Sequence, residues 1–269
     1  MPSFATREHA LANRHYNKLP NGTITHVSSC IGINSVARKA TGLPARPALG
    51  FPPPLEPIAF LVEQAANMSI PGHYHQADQF QVFVAGGGKF GVKPIEGLTV
   101  HYAMGFTPYA PIHAAEAGVE YYTLRNGWDP GARWMPDYKE GLKGRTKDYR
   151  HGLGLVPALL GDADGPKNLT GVLEHNVVPF EADGLGATVY HAAPGQQIAG
   201  PAPSEGRGQY WMVMSGECQL NEHVGGRQAL LFVDPTEQAP VITAGKDGAS
   251  VLLMQFPKRE QSYKVRGNR

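Results

Sequence analysis

Two histidines a single residue apart are the groups in this chain best suited to chemistry: His73 and His75, in Pro71-Gly72-His73-Tyr74-His75-Gln76-Ala77-Asp78-Gln79. Successive side chains of an extended strand point to opposite faces, so residues two apart share a face and their ring nitrogens can converge on one point. The pair therefore reads as a bidentate metal clip. Gln79 returns to the same side after the polar turn Gln76-Ala77-Asp78, and the apolar run Phe80 to Val84 reads as a buried strand closing at Gly86.

The stretch resembles the first motif of the cupin superfamily, in which a glycine and a spacer precede His-x-His, a glutamate follows a few residues on, and a glycine closes the motif. Gly72, His73, His75 and Gly86 match, and Gln79 stands where glutamate is usual. The second cupin motif supplies one more histidine after a proline turn; Gly105-Phe106-Thr107-Pro108-Tyr109-Ala110-Pro111-Ile112-His113 fits it, without the usual trailing asparagine. The resemblance implies one divalent ion (Fe, Zn, Ni or Mn) held by His73, His75, Gln79 and His113. Gln79 either coordinates through its amide oxygen or stands beside a three-histidine metal and hydrogen-bonds substrate or water.

These groups need strands to hold them. With 33 Gly and 23 Pro in 269 residues, many short strands joined by turns are expected rather than long helices, an all-β chain. Ile58 to Glu63, Leu98 to Ala103 and Val119 to Arg125 read as strands flanking the clip. Near the N-terminus, Arg7 to Arg14 reads as a short helical turn and Thr23 to Val27 as a strand; His9, His15 and His26 there lack a paired spacing and read as structural. The second half repeats the first: Gln79-Phe80 and Gly86 recur as Gln209-Tyr210 and Gly216, and Ala110 to His113 as Ala239 to Ile242, offset by 129 or 130 residues. In the copy Pro194-Gly195-Gln196-Gln197 has no paired histidines and Ile242 replaces the later one, so no metal is expected there. By resemblance this is a bicupin, two tandem jelly-roll barrels with short helical and linker segments. Its parts are expected to be an arm and Pro/Gly-rich crossing at 1–57, a metal-binding barrel at 58–128, a linker with a short helix at 129–171, and a degenerate barrel at 172–269. The linker carries Lys139, Lys143, Arg145, Lys147 and Arg150 among acidic residues, read as a solvated surface, then an apolar patch from Leu153 to Leu160.

Composition excludes several classes of function. Lys plus Arg number 24 against 23 Asp plus Glu, so no long-range field recruits nucleic acid or an anionic membrane. No apolar run approaches the roughly 20 residues of a membrane helix. Cys30 and Cys218 make no disulfide framework and no secretory signal is evident, so a cytoplasmic protein is expected. A small-molecule substrate is the partner expected, with a homodimer possible. Gln81, Tyr102, Tyr122 and Arg125 lie on the strands flanking the motif and are candidates to touch that substrate, Arg125 as a bidentate clamp on a carboxylate.

An amide in place of a carboxylate leaves the full dipositive charge at the site, which strengthens Lewis acidity. Resemblance to three-histidine cupin dioxygenases that open gentisate-type rings implies an O2-dependent dioxygenase, with Gln79 and Arg125 catalytic. Resemblance to cupins that carry glutamine at the third ligand position implies instead a non-redox isomerase, cyclase or lyase. A cupin that binds a small ligand without turnover is the third expectation.

Overall fold

The strand expected after the clip forms as Gln79–Phe90 in a computed structural model that describes residues 3–50, 52–143, 150–155 and 166–258. It lies between Thr99–Ala103 and the 16-residue strand Ile112–Gly127, antiparallel to both. Beyond Ile112–Gly127 the sheet continues through Leu55–Gln64, Ile24–Ile31 and Arg14–Lys18, and beyond Thr99–Ala103 to His151–Leu155. The register slips between Ala114 and Val119 and again between Glu120 and Tyr121. Bulges of this kind add bend and twist, which lets one sheet curl around a core. Phe60, Val62, Phe83, Phe90, Ile112 and Tyr121 fill that core, and burying an aliphatic or phenyl side chain contributes about 1.5–3 kcal/mol.

Gly86 sits at the bend with φ +71°, and a β-carbon there would lie 2.1 Å from the Gly118 carbonyl oxygen. Glycine is required twice over, once for the left-handed backbone and once for the close approach of the neighbouring strand.

Residues 12–155 form one unit; 3–11 together with 166–258 form the other. In the second, Gln209–Leu220 takes the place of Gln79–Phe90, flanked by Leu230–Val233 and Ile242–Gln255, with Gly186–Ala192 and Val172–Val178 further out. Its bend is at Gly216, again with φ +71°, and a β-carbon there would meet the Gly248 oxygen at 2.2 Å. The repeat read from the sequence is thus a repeat of strand length, bend and contact. Tyr190, Trp211, Val213, Leu231, Val251 and Leu253 build its core. The chain is all-β, two tandem barrels, and none of the described helices is long and apolar enough to cross a membrane.

Several expected boundaries move. Arg14–Lys18 and Ile24–Ile31, assigned to an arm, are ladder strands of the first sheet, with Arg14 opposite Ser28 and Thr25 opposite Gln64. Ser3–Ala5 instead pairs with Leu230–Val233 in the second unit. The segment 129–171 is not all linker, because His151–Leu155 adds a strand beside Thr99–Ala103, while Lys139–Leu142 supplies its short helix as a single 3₁₀ turn. Arg145, Lys147 and Asp148 of the charged cluster and residues 156–160 of the apolar patch lie outside the described residues. Ser35–Ala40 is a helix that the sequence reading passed over; the Asn34 side chain accepts from the amides of Val36 and Ala37, an N-cap that an Asn before Ser-Val-Ala-Arg-Lys-Ala could have signalled.

Gly97 shares a positive φ of +64° but has open space where a β-carbon would go. Gly97→Ala is expected to cost about 1 kcal/mol of backbone strain and Gly86→Ala at least about 2 kcal/mol, because only the latter adds a clash. Urea unfolding of both variants measures the difference, and equal losses would remove the close approach as the reason for Gly86.

Candidate metal centre

His73 and His75 come together as the strand spacing requires. The short strand His73–Tyr74 pairs with Arg133–Trp134, and His73 also exchanges both backbone hydrogen bonds with Tyr109. The two imidazole rings stand 5.0 Å apart, nearly perpendicular. Each is held through Nδ1. His73 Nδ1–H donates to the Pro71 carbonyl at 2.7 Å, and His75 Nδ1–H donates to Asp129 Oδ1 at 2.8 Å. Fixing the proton on Nδ1 leaves Nε2 of each ring as the lone-pair donor, the arrangement that carboxylates and carbonyls impose on metal-binding histidines.

Asp129 is the residue that the sequence reading missed. Its carboxylate accepts from His75, from the amides of Gln76 and Gly131, and more distantly from the amide of Ala77 at 3.3 Å, and lies 3.4 Å from Arg125 Nη1. Burial alone would raise this carboxyl, but His75, Arg125 and the Gln76 amide hold it well below the usual carboxylate range. In the sequence Trp128-Asp129-Pro130-Gly131 carries only a turn signal, since an Asp before Pro-Gly is ordinary turn chemistry.

Tyr109, rather than the expected His113, stands beside the two histidines. Its hydroxyl donates to His73 Nε2 at 2.7 Å and accepts from Gln79 Nε2 at 2.8 Å. Gln79 Oε1 in turn accepts from Arg125 Nε and Nη2, at 3.3 and 3.1 Å. A chain of contacts therefore runs from Asp129 through Arg125, Gln79 and Tyr109 to His73. Burial raises the Tyr109 phenol above its ordinary value. It lowers His73 to about 3, with the neighbouring His75 adding to the effect, and it lowers His75 as well. Both imidazoles are neutral at physiological pH, the state in which they bind a metal.

All five of these groups (His73, His75, Gln79, Tyr109 and Arg125) face a cavity of about 190 Å³. Gln81, Tyr121, Thr123, Asn17, Thr25, Asn34 and Ser35 add to its polar side, and Leu19, Val27, Phe60, Val62, Ile70 and Trp134 supply apolar walls. The Trp134 ring lies 4.9 Å from that of His73.

Not every expected residue joins this group. His113 is exposed, with Nδ1 2.6 Å from Ser69 Oγ. The reason is strand parity: Ile112 opens the strand with its side chain fully buried, so the next residue points outward. Ile112 also falls level with Ile242 of the second barrel, at an offset of 130, which makes His113 the counterpart of Thr243. Tyr102 and Tyr122 are buried on the face away from the cavity; Tyr102 packs on Phe80 at 5.0 Å, and Tyr122 sits opposite Val82. The even-numbered residues of these strands face one way and Gln79, Gln81, His101, Tyr121, Thr123 and Arg125 the other, as period two demands. Gln81 does line the cavity, with its amide oxygen receiving His101 Nδ1–H at 2.9 Å. Arg125 lines it too, but its donors serve Gln79 and Asp129, and Nη2 also lies 3.1 Å from His75 Nδ1.

Among the described residues, no three His, Cys, Asp or Glu side chains are grouped to hold a metal ion. The donors present are two neutral imidazoles, the Tyr109 hydroxyl and, behind it, the Gln79 amide. That set fits a divalent ion with part of its coordination left open, and it does not make the three-histidine set that the motif implies. In the second barrel Gln209 is committed to packing: Nε2 donates to the Pro201 carbonyl and to Gln255 Oε1, and Oε1 accepts from the Trp211 indole.

His101 is also fully buried, and burial lowers it to about 3. With folded pKa values below the unfolded value of about 6.5, the stability that these neutral imidazoles contribute is complete above that pH and is lost as pH falls toward 3. Metal-free protein should lose about 2 kcal/mol for each of His73 and His101 between pH 6.5 and 5. Urea unfolding across that range measures it, with His101→Gln flattening the slope; a flat profile for the wild type would refute the buried neutral state.

No family model matches the chain, and no curated protein sequence does. Solved structures do. A candidate dioxygenase of Nostoc punctiforme superposes with TM-score 0.55 at 11% identity over 97% of this chain and 80% of its own. The pirin YhhW of Escherichia coli, solved with nickel(II), gives TM-score 0.54 at 10% identity over 96% of this chain and 100% of its own. Oxalate decarboxylase of Bacillus subtilis, studied for its Mn(II) centres, gives TM-score 0.52 at 10% identity over 93% and 77%. These are cupin proteins, and with two tandem barrels curled around separate cores the chain has the bicupin fold.

Proposed function

We propose that the protein is a metal-dependent cupin enzyme acting on a small oxygenated metabolite, and that its reaction is an O2-dependent dioxygenation. The observation that carries this is the pair of imidazoles locked through Nδ1, with both rings on one cavity. His73 and His75 would hold the ion through Nε2, for which His73 would give up the hydrogen bond from the Tyr109 hydroxyl, and that oxygen would then be placed beside the ion. An ion bound there supplies Lewis acidity toward a substrate oxygen and, if it is redox-active, a route for electrons between substrate and O2.

The chain's own groups do the remaining work. The apolar walls exclude bulk water and limit the substrate to a small molecule, since a cavity of about 190 Å³ is below the range of drug-sized ligand sites. Asp129 fixes the orientation of His75 and offsets the buried charge of Arg125. Arg125 orients the Gln79 amide, so that Gln79 Nε2 holds the Tyr109 oxygen in place. Arg125 and Gln79 are therefore positioning residues, and Tyr109 is a cavity-lining group that has a proton to give. The folds of the Nostoc, Escherichia coli and Bacillus subtilis proteins support the general class, metal-dependent chemistry in a cupin barrel.

One observation favours a second reading. The Tyr109 hydroxyl, hydrogen-bonded to His73 within the cavity and held in its protonated form by burial, is a proton carrier of the kind that a non-redox isomerase, cyclase or lyase uses.

His73→Ala with His75→Ala should reduce metal, by elemental analysis of purified protein, to about a tenth of wild type or less. His113→Ala and Gln209→Ala should leave it unchanged. Equal metal in the double variant and the wild type would remove the site. Protein reconstituted with Fe(II) is expected to consume O2 with a ring or diketone substrate; full turnover with zinc under anaerobic conditions would establish the non-redox reading instead.

A further inference from the structure

A second cavity in the first barrel unit, of about 340 Å³, is lined by Ser35, Arg38, Lys39, Arg46, Trp128 and Pro130, together with Gly42, Leu43 and Ala45. Three cations face it and no acidic residue does. Arg46 is paired outside the wall with Glu56 at 2.6 Å. The Arg38 guanidinium is steadied by the Pro44 carbonyl, which accepts from Nε at 3.2 Å and Nη2 at 2.9 Å and neutralises no charge. Lys39 has no ion-pair partner among the described residues. Two positive charges are thus left unbalanced around one small concave space.

The cations are also held in place. The guanidinium carbons of Arg38 and Arg46 lie 5.7 and 5.0 Å from the centre of the Trp128 ring, and the buried indole is anchored by its Nε1–H to the Pro47 carbonyl at 3.0 Å. Cation–π contacts and the carbonyl bonds fix the two forks before any ligand arrives, which lowers the ordering cost of binding. Beyond these bonds Arg38 keeps the Nη1 donors and Arg46 keeps its Nε and Nη2 donors, and such donors together with an ammonium suit a tetrahedral oxyanion.

From this arrangement we infer that the Arg38, Lys39 and Arg46 cavity is a binding site for a phosphate monoester, a dianion that matches the two unbalanced charges. The volume leaves room for a small organic body beside the phosphate. The site is separate from the histidine cavity, although Ser35 lines both.

Calorimetric titration of the full chain with methyl phosphate at low ionic strength and about pH 7.5, where the ester is doubly charged, tests this. Saturable binding is expected, weakened about tenfold or more in both Arg38→Gln and Lys39→Gln. Lys39 is exposed, so its substitution leaves the fold unaffected and keeps the test decisive even if Arg38→Gln loosens the Pro44 loop. Malonate, a dicarboxylate dianion, should bind more weakly; equal affinity would overturn the phosphate assignment. Absence of binding, or affinities unchanged in both variants, would overturn the site. The His73→Ala and His75→Ala protein should bind methyl phosphate as the wild type does, whereas loss there would move the anion to the histidines and overturn this inference without touching the metal proposal.

Discussion

The buried carboxylate of Asp129 is the constraint on which the candidate centre depends. A carboxylate removed from water is costly unless its lone pairs are filled, and here His75, backbone amides and Arg125 together fill them. Those partners are in turn the groups that define the cavity. His75 is oriented by Asp129, Arg125 is kept buried by it, and through Arg125 the Gln79 amide and the Tyr109 hydroxyl take their places. Removing the carboxylate would leave a guanidinium buried without its counter-charge, so this residue couples stability to site geometry.

The barrel makes such a network affordable by keeping it on one face. The stretches 79–84 and 121–127 are buried on both sides, with Phe80, Val82, Tyr122 and Leu124 on one face and Gln79, Gln81, Thr123 and Arg125 on the other. An apolar layer behind the site means that the polar groups have only each other and the cavity to satisfy them. The second barrel keeps the bend, the strand lengths and a buried glutamine, but spends that glutamine on Gln255 and Trp211. The same position thus faces the histidine cavity in one copy and is closed by hydrogen bonds to its own core in the other.

With Tyr109 rather than His113 beside the two imidazoles, the groups at the cavity differ from those the motif implies. An imidazole is a neutral nitrogen donor, whereas a buried phenol is a weaker donor that retains a proton. The cavity combines two neutral imidazoles with a proton-bearing group next to one of them. That shifts the balance toward chemistry in which the protein's own hydrogen-bond chain takes part.

What the sequence by itself determined was local or periodic. His-x-His on an extended segment puts two rings on one face whatever surrounds it, glycines at a fixed offset reproduce the same bend in both halves, and alternating apolar runs give strands; hence the all-β duplicated fold, the pairing of the His73 and His75 rings, and the nearness of Gln79 to them were legible. What only the tertiary structure decided was parity and long-range pairing. A strand that begins at Ile112 turns His113 outward, and a one-residue difference in phase moves Tyr102 and Tyr122 to the far face and brings Tyr121 and Thr123 in. Asp129 lies 54 residues from His75 and Tyr109 lies 36 from His73, distances over which no spacing rule acts. Their contact exists because antiparallel strands and the returning segment at Arg133–Trp134 bring them together, and only folding supplies that closure.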